Sequence, residues 1–345
     1  MDFELDEDER QLADGMRRLC AGRFPLDEVR ARAEAGRAVD RDAWRELADA
    51  GVFGLCLAES AGGVGLGLAA AAVVFEELGR ALVPGPLVAS HLAAGLVDGA
   101  VDGSMLVGLV ERPTPGGDGL DGPADPVPVV VEHCDELDVL LVLSPDGVGA
   151  LDPSRLDAVR LDRPMDPLTR VWSVAGLPPA TPVAGPEVAA WWRRDGAALT
   201  AALQVGAATW TTELAVDYAK ARFQFGRPIG SFQAVKHLCA DMAVRTEVAR
   251  CAVQAAAATV DQPEVGDAAV AVAGAKLLAD EAALANGRTC IQVHGGMGFT
   301  WQVPAHLAYK RARVLATQFG TGDLLAESLG TELAGRGAVP AVVVS

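Results

Sequence analysis

Apolar residues recur three and four positions apart from Glu9 to Leu19 and from Asp42 to Ala50, which predicts two amphipathic helices. Asp40 stands before the second and is suited to cap it. The segment LAAAAVVFEELGRAL (68–82) is apolar on most sides and reads as a buried helix, halted before Pro84 and Pro86. The pattern then changes. From residue 104 to about 180, Pro, Gly and Asp rise, and short β-type runs follow one another: VPVVVE (127–132), LDVLLVL (137–143), LDAVRL (156–161) and RVWSVAG (170–176). Turn residues separate them at the spacing of a small antiparallel sheet or barrel, and Asp118 to Asp125 reads as a mobile loop. From Glu187 to Arg336 the helical period returns, in segments 188–221, 231–260, 264–294 and 303–318. In the second of these, Phe232, Val235, Cys239 and Met242 share a face. The pattern predicts an α+β protein with a helical domain (1–103), a small middle β-domain (104–186) and a C-terminal helical bundle (187–345).

Composition narrows the function. A chain of 345 residues, half of them hydrophobic, supports more than one domain and a sizeable core. A net charge of −17 argues against nucleic acid and against an anionic membrane surface. It leaves room for a small anionic ligand held in a local basic pocket. The six cysteines form no CxxC and none has zinc-ligand spacing to a histidine, so no metal site is expected. They read as buried thiols of a reducing compartment. The acidic N-terminus lacks the apolar core of a signal peptide, and no run of about 18 uncharged apolar residues would span a bilayer. A soluble, cytoplasmic protein is expected.

Two stretches are not explained as core or surface. RFQFGRPIGSFQAVKH (222–237) follows a long Ala-rich helix. Lys220 and Arg222 fall in that helix's last turn, Gly226, Pro228 and Gly230 read as a rigid turn, and Ser231 is a good N-cap for the next helix. An arginine at such a corner suits bidentate binding of a pyrophosphate, and Phe225 offers a flat face to a ring; a helix–turn–helix corner with a solvated arginine fits the same residues. The second stretch, CIQVHGGMGFTWQVP (290–304), runs a helix into Gly295 and Gly296, which let a backbone approach a ligand closely, with Gln292 one turn before them. His294 lacks a carboxylate nearby in sequence and reads as a structural residue at a helix C-terminus. A third glycine-rich run, AGGVGLG (61–67), lacks GxGxxG spacing, a preceding strand and a P-loop lysine, and reads as a tight turn between helices.

YAKARFQFGRPIGSFQAVKHLCADM (218–242) and IQVHGGMGFTW (291–301) closely resemble the flavin-binding segments of acyl-CoA dehydrogenases. WRELADAGVFGLCLAESAGGVGLGLAAAAVVFEELGRAL (44–82) resembles that family's first helical domain. The resemblance covers nearly the whole chain. It implies FAD, an acyl-CoA thioester substrate, and a C-terminal domain that reaches across a dimer interface to the flavin of its neighbour. By matching motif positions, Arg222, Gln224 and Phe225 would contact the pyrophosphate and adenine side, Gln233 would lie close by, and Gln292, Gly295 and Gly296 would line the same distal half.

Three departures accompany it. The family's usual base is a Glu in a Glu-Gly-Thr run; here the run is Gln318-Phe319-Gly320-Thr321, and phenylalanine cannot accept a proton. The alternative base position, on the first helix of the C-terminal domain, falls at Gly196. Its neighbour Asp195 is turned by about 100° on a helix. The near-flavin segments of the β-domain match poorly, at ERPTPGGDG (111–119) and Trp172-Ser173, and that domain looks shortened. The pattern is similar to the short subunit of heteromeric (α2β2) bacterial acyl-CoA dehydrogenases, some acting on steroid side-chain thioesters. The expectation is a subunit without a base of its own, completing the active site of a homologous full-length partner. An electron-transfer flavoprotein is the family's usual electron acceptor. A self-sufficient homo-oligomeric flavoenzyme with a displaced base such as Asp195, and a silent assembly protein of the same fold, are the alternatives. The basic run Lys310, Arg311, Arg313 suits CoA phosphates, the flavin or a partner protein, with solvated helix surface as the default reading.

Overall fold

A computed structural model describes residues 5–112 and 128–335. The N-terminal layer holds α1 (Glu7–Arg23), α2 (Leu26–Glu34), α3 (Arg41–Asp49), α4 (Leu68–Arg80) and α5 (Leu87–Leu92). Asp6 and Glu9 form a reciprocal capping box on α1, and Asp40 caps α3 through the amides of Asp42 and Ala43. Trp44, Phe53 and Phe75 are fully buried where these helices meet.

Strands β1 (Val107–Glu111), β2 (Val129–Glu132), β3 (Val139–Ser144), β4 (Gly147–Leu151), β5 (Ala158–Arg160), β6 (Val171–Val174) and β7 (Thr181–Ala184) follow. They form two sheets, ordered β1-β3-β4-β7 and β2-β6-β5. The predicted runs at 127–132, 137–143, 156–161 and 170–176 became β2, β3, β5 and β6. The expected antiparallel sheet or barrel is corrected in one respect: the strands form two sheets that are antiparallel except where β1 pairs with β3 in parallel. Strands β1, β4 and β7 are short and glycine- or proline-bearing, so their periodicity was too weak to read. The predicted loop Asp118 to Asp125, and all of ERPTPGGDG beyond Arg112, lie outside the described residues.

The third part is α6 (Pro186–Ala221), a hairpin of β8 (Phe223–Gln224) and β9 (Arg227–Pro228), α7 (Gln233–Asp261), α8 (Ala268–His294), α9 (Ala305–Leu315) and α10 (Gly322–Gly335). Alanines 197, 198, 201, 202, 207 and 208 are buried along α6, and such small side chains let helices approach closely. The approach is tightest where α4 crosses α6: a Cβ on Gly79 would stand 2.1 Å from the Leu203 carbonyl oxygen, and one on Gly206 would stand 2.0 Å from that of Glu76. A single apolar core runs from α1 through the sheets into the bundle. Inside it, Lys276 is fully buried and held by Asp280 at 2.5 Å and the Leu315 carbonyl at 3.2 Å. Burial pulls the Lys276 ammonium down and pushes the Asp280 carboxyl up.

The glycine run at 61–67 is a turn between helices, and α4's N-terminus is taken by the protein's own carboxylate. Asp261, at the end of α7, accepts from the amides of Leu68 (2.8 Å) and Ala69 (2.9 Å), and a Cβ at Gly67 would strike it at 2.4 Å. The reading of six buried thiols is corrected: Cys20, Cys134 and Cys290 are buried, Cys239 is half-buried, and Cys56 and Cys251 are exposed. No helix among the described residues is long and apolar enough to cross a membrane.

Candidate functional site

The two sequence motifs meet at one end of the bundle. The last turn of α6, the first turns of α7 and the last turn of α8 share a small apolar cluster of their own, built on Ala215, Ala219, Met242, Cys290 and Val293. Val235 and Cys239 join Met242 in it, as their shared face predicts, but Phe232, the fourth member of that face, is not in the cluster and meets Phe225 and Arg227 instead. Tyr218 stacks on His294 with ring centroids 4.1 Å apart. His294 is buried and its Nδ1 donates to the Cys290 carbonyl at 2.8 Å, so the histidine is structural, joining the helix that leads to Arg222 to the helix that leads to Gly295.

Between α6 and α7 the chain does not turn a simple corner. Phe223 pairs with Pro228 and Gln224 with Arg227, around a two-residue turn in which Phe225 (φ 52°) and Gly226 (φ 79°) are both left-handed. Positive φ at both central positions is the geometry of a type I′ hairpin. Left-handed backbone is costly for a phenylalanine, and the ring it carries is 92% exposed. Two details of the predicted corner are corrected. Phe232, and not Ser231, occupies the N-cap of α7, because the Ser231 hydroxyl is spent on the Pro228 carbonyl at 2.7 Å. Arg222 lies just past α6 in extended backbone and not inside its last turn.

This end is prepared for an anion. Arg222 and Gln224 are exposed, and no side-chain partner of Arg222 exists among the described residues. No side chain caps the N-terminus of α7, where Gln233 begins the helix with its amide 3.4 Å from the His237 ring. Free amides and the helix dipole there attract negative charge. Gln292 is exposed one turn before the glycines. A Cβ on Gly295 or Gly296 would meet no heavy atom within 4 Å, and only Gly295 needs its left-handed φ of 60°. Among the described residues nothing requires glycine at 296, and the open space there suits a ligand.

A second site lies elsewhere. A cavity of about 810 Å³ opens between the N-terminal layer, the sheets and α9. Both expected base positions meet beside it. The Phe319 ring, which lines the cavity, fills the place of the side chain that Gly196 lacks: a Cβ on Gly196 would stand 2.3 Å from its Cε1. Phe319 is itself left-handed (φ 53°) and is pinned by its amide, which donates to Glu111 at 3.1 Å. Asp195 bonds Arg194 at 2.8 Å and does not line the cavity. Burial pushes its carboxyl up.

Sequence reasoning missed the acids that do line it. Glu111 ends β1 and Glu132 ends β2; Glu132 accepts from the Gln318 amide at 3.1 Å. Burial pushes both carboxyls up, against the opposing pull of Arg193 on Glu111 and of His133 and Arg311 on Glu132. The only signal in the sequence was an acid closing each apolar strand. The default reading of the basic run is corrected at Arg311, which is buried, paired with Asp166, and donates to the Val83 carbonyl at 3.1 Å. Trp172 is buried under the Arg170 guanidinium, which lies 4.9 Å from its ring centroid.

The chain thus combines a helical layer, a small two-sheet middle and a helical bundle, at whose end Arg222 and the start of α7 have no side-chain partner among the described residues. Residues 6–99 match the model of the acyl-CoA dehydrogenase N-terminal domain, and residues 185–334 match that of the C-terminal domain. The chain belongs to the acyl-CoA dehydrogenase family, whose cofactor is FAD. It is 36% identical to the acyl-CoA dehydrogenase IpdE2 of Mycobacterium tuberculosis, over 89% of this chain and 91% of that one. It is 35% identical to the acyl-CoA dehydrogenase FadE34 of the same organism, over 79% of this chain and only 40% of that protein's length. Among solved structures, the Tcur3481-Tcur3483 steroid ACAD matches with a TM-score of 0.78 and 27% identity, over 96% of this chain and 99% of that one.

Proposed function

We propose that this chain is a subunit of a heteromeric (α2β2) acyl-CoA dehydrogenase, lending its distal FAD clamp to a homologous partner that carries the catalytic base. The observation that carries this is the Phe319 ring packed into the void at Gly196, which closes both expected base positions with carbon. A second observation supports it. From Gly196 to Arg222 along α6 is about 39 Å at the helical rise, too far for one dinucleotide to bridge. The clamp and the cavity of one chain therefore serve different flavins, and a clamp without a neighbour has nothing to hold. The exposed rings of Phe225 (92%) and Phe299 (84%) suit burial against such a neighbour.

In this reading Arg222 and the amides at the start of α7 neutralise the pyrophosphate, and Gln224, Gln233 and Gln292 supply hydrogen bonds around it. Phe225 lies along the adenine, while Gly295 and Gly296 let the backbone approach. When bound, FAD supplies the hydride acceptor for α,β-desaturation of the thioester. The likeness to a steroid ACAD supports a steroid side-chain thioester as substrate; a cytoplasmic location and electron-transfer flavoprotein as acceptor complete the proposal. The test is expression of the chain alone and with a homologous full-length subunit, followed by visible spectra and native mass. A colourless chain alone and a yellow heteromer with about one FAD per pair are expected; a yellow, active homo-oligomer overturns the proposal.

The acids Glu111 and Glu132 favour one second reading, a self-sufficient homo-oligomeric flavoenzyme with a displaced base. These residues, rather than Asp195, would then be the ones to test, because both line the cavity. A preparation that stays flavin-free in every assembly would favour a silent assembly protein instead.

A further inference from the structure

The tip of the β8–β9 hairpin holds a phenylalanine where the backbone disfavours one. The base of the hairpin is fixed by backbone contacts. The Ile229 amide donates to the Arg222 carbonyl at 2.7 Å, and Gly230 lies so close to α6 that a Cβ there would stand 2.9 Å from the Ala219 carbonyl oxygen. The tip has no such anchor. A type I′ turn favours Asn, Asp or Gly at its first central position, because left-handed backbone crowds a larger side chain, yet Phe225 stands there with φ 52°. Its exposed ring meets Phe232 edge to face, with centroids 6.1 Å apart and planes at 83°. Phe232 is the half-buried N-cap residue of α7, and the Arg227 guanidinium lies over its ring, 4.1 Å from the centroid. Among the described residues the Arg227 side chain has no ion-pair or hydrogen-bond partner, so the ring is what holds it. An edge-to-face pair and an exposed cation–π contact are together of the same size as the cost of one left-handed residue. Arg227 holds Phe232, Phe232 holds Phe225, and the turn stays left-handed while the stack is closed.

We propose that Arg227 and Phe232 are positioning residues, which set Phe225 in its left-handed conformation before any ligand arrives. The inference rests on the clamp reading for what Phe225 then does; the stack itself is built within this chain. Arg227 acts through the two rings and not by touching the flavin. Because the cost of the turn and the contacts that offset it nearly balance, the closed fraction is sensitive to each contact. An affinity that needs the closed turn falls in proportion to that fraction.

The test is hydrogen–deuterium exchange, read by mass spectrometry across residues 222–232 of the flavin-free full chain, beside FAD titration of whichever assembly of the chain holds flavin. Arg227→Ala and Phe232→Leu should each speed exchange in this segment by about two- to fivefold and weaken FAD by a similar factor. Circular dichroism of Arg227→Ala should be unaltered. Arg227→Lys, which keeps a cation for the ring, should restore most of both readouts. In a Phe225→Asn background the turn has the Asn-Gly pair that favours type I′ by itself, and Arg227→Ala should no longer alter exchange. Exchange indifferent to Arg227→Ala, an effect of full size in the Phe225→Asn background, or FAD weakened while exchange is unchanged would each overturn the inference. Failure of the clamp reading looks different: Arg222→Ala would then leave FAD in place, while the exchange rates of the Arg227 variants still decide whether the stack holds the turn.

Discussion

A methyl group added at Gly196 would stand 2.3 Å from the Phe319 ring, and this collision makes a direct test of the closed base positions. Gly196→Ala should help the helix and harm the packing. An alanine inside a helix is worth about 1 kcal/mol over glycine. Against that, three ring carbons of Phe319 would lie within 2.6 Å of the new Cβ, roughly 1 Å or more inside normal carbon contact. Overpacking of this kind costs about 1–3 kcal/mol, and the adjoining cavity gives the ring somewhere to move, which places the cost at the low end. Gly196→Ala alone is therefore expected to be neutral or destabilising by up to about 1 kcal/mol. In a Phe319→Ala background the clash is gone and the same change should stabilise by about 0.5–1 kcal/mol. Urea unfolding of the four proteins gives the cycle, with a coupling of about 1 kcal/mol or more. Additivity within about 0.5 kcal/mol would show that the ring does not occupy the Gly196 void.

Other consequences can be measured separately. Arg222→Ala should loosen FAD in the assembled enzyme by about 1.5–3 kcal/mol while leaving the helix content of the isolated chain unchanged; equal flavin occupancy would refute the clamp. Asp261→Ala removes the cap on α4 and should cost about 1 kcal/mol, read as a lower urea midpoint at unchanged slope. Glu132→Gln should stabilise the protein at neutral pH. Burial raises the folded carboxyl above its unfolded value, so the native state keeps its proton longer and loses stability as pH rises beyond about 4.3. Wild type and variant should converge below that pH and separate above it, and a pH-independent difference would contradict the buried carboxyl.

How far the chain was legible follows from the range of the interactions involved. Helical periodicity, the Asp40 cap and the shared face of Val235, Cys239 and Met242 are encoded within a few turns, and each appears in the structure. The I′ hairpin at Phe225–Gly226 was harder to read, because a left-handed phenylalanine violates the local preference from which a turn is inferred. Glu111 and Glu132 gave almost no signal: an acid at a strand end is ordinarily solvated, and only the closure of the sheets on α9 turns these two into the cavity.

Periodicity and composition along the chain were sufficient for the order of helical layer, β-module and bundle, and two short motifs were sufficient for the family, since all of these are local or nearly so. The register of the sheets, the parallel pairing of β1 with β3, the burial of Arg311 against Asp166 and the seating of Phe319 over Gly196 came from tertiary contact. Each joins residues far apart in sequence, and whether a ring fills a void or a carboxyl loses its water depends on what arrives from the other element. The resemblance points to Phe319 and Gly196 as the expected base positions; only the folded chain shows that the two meet.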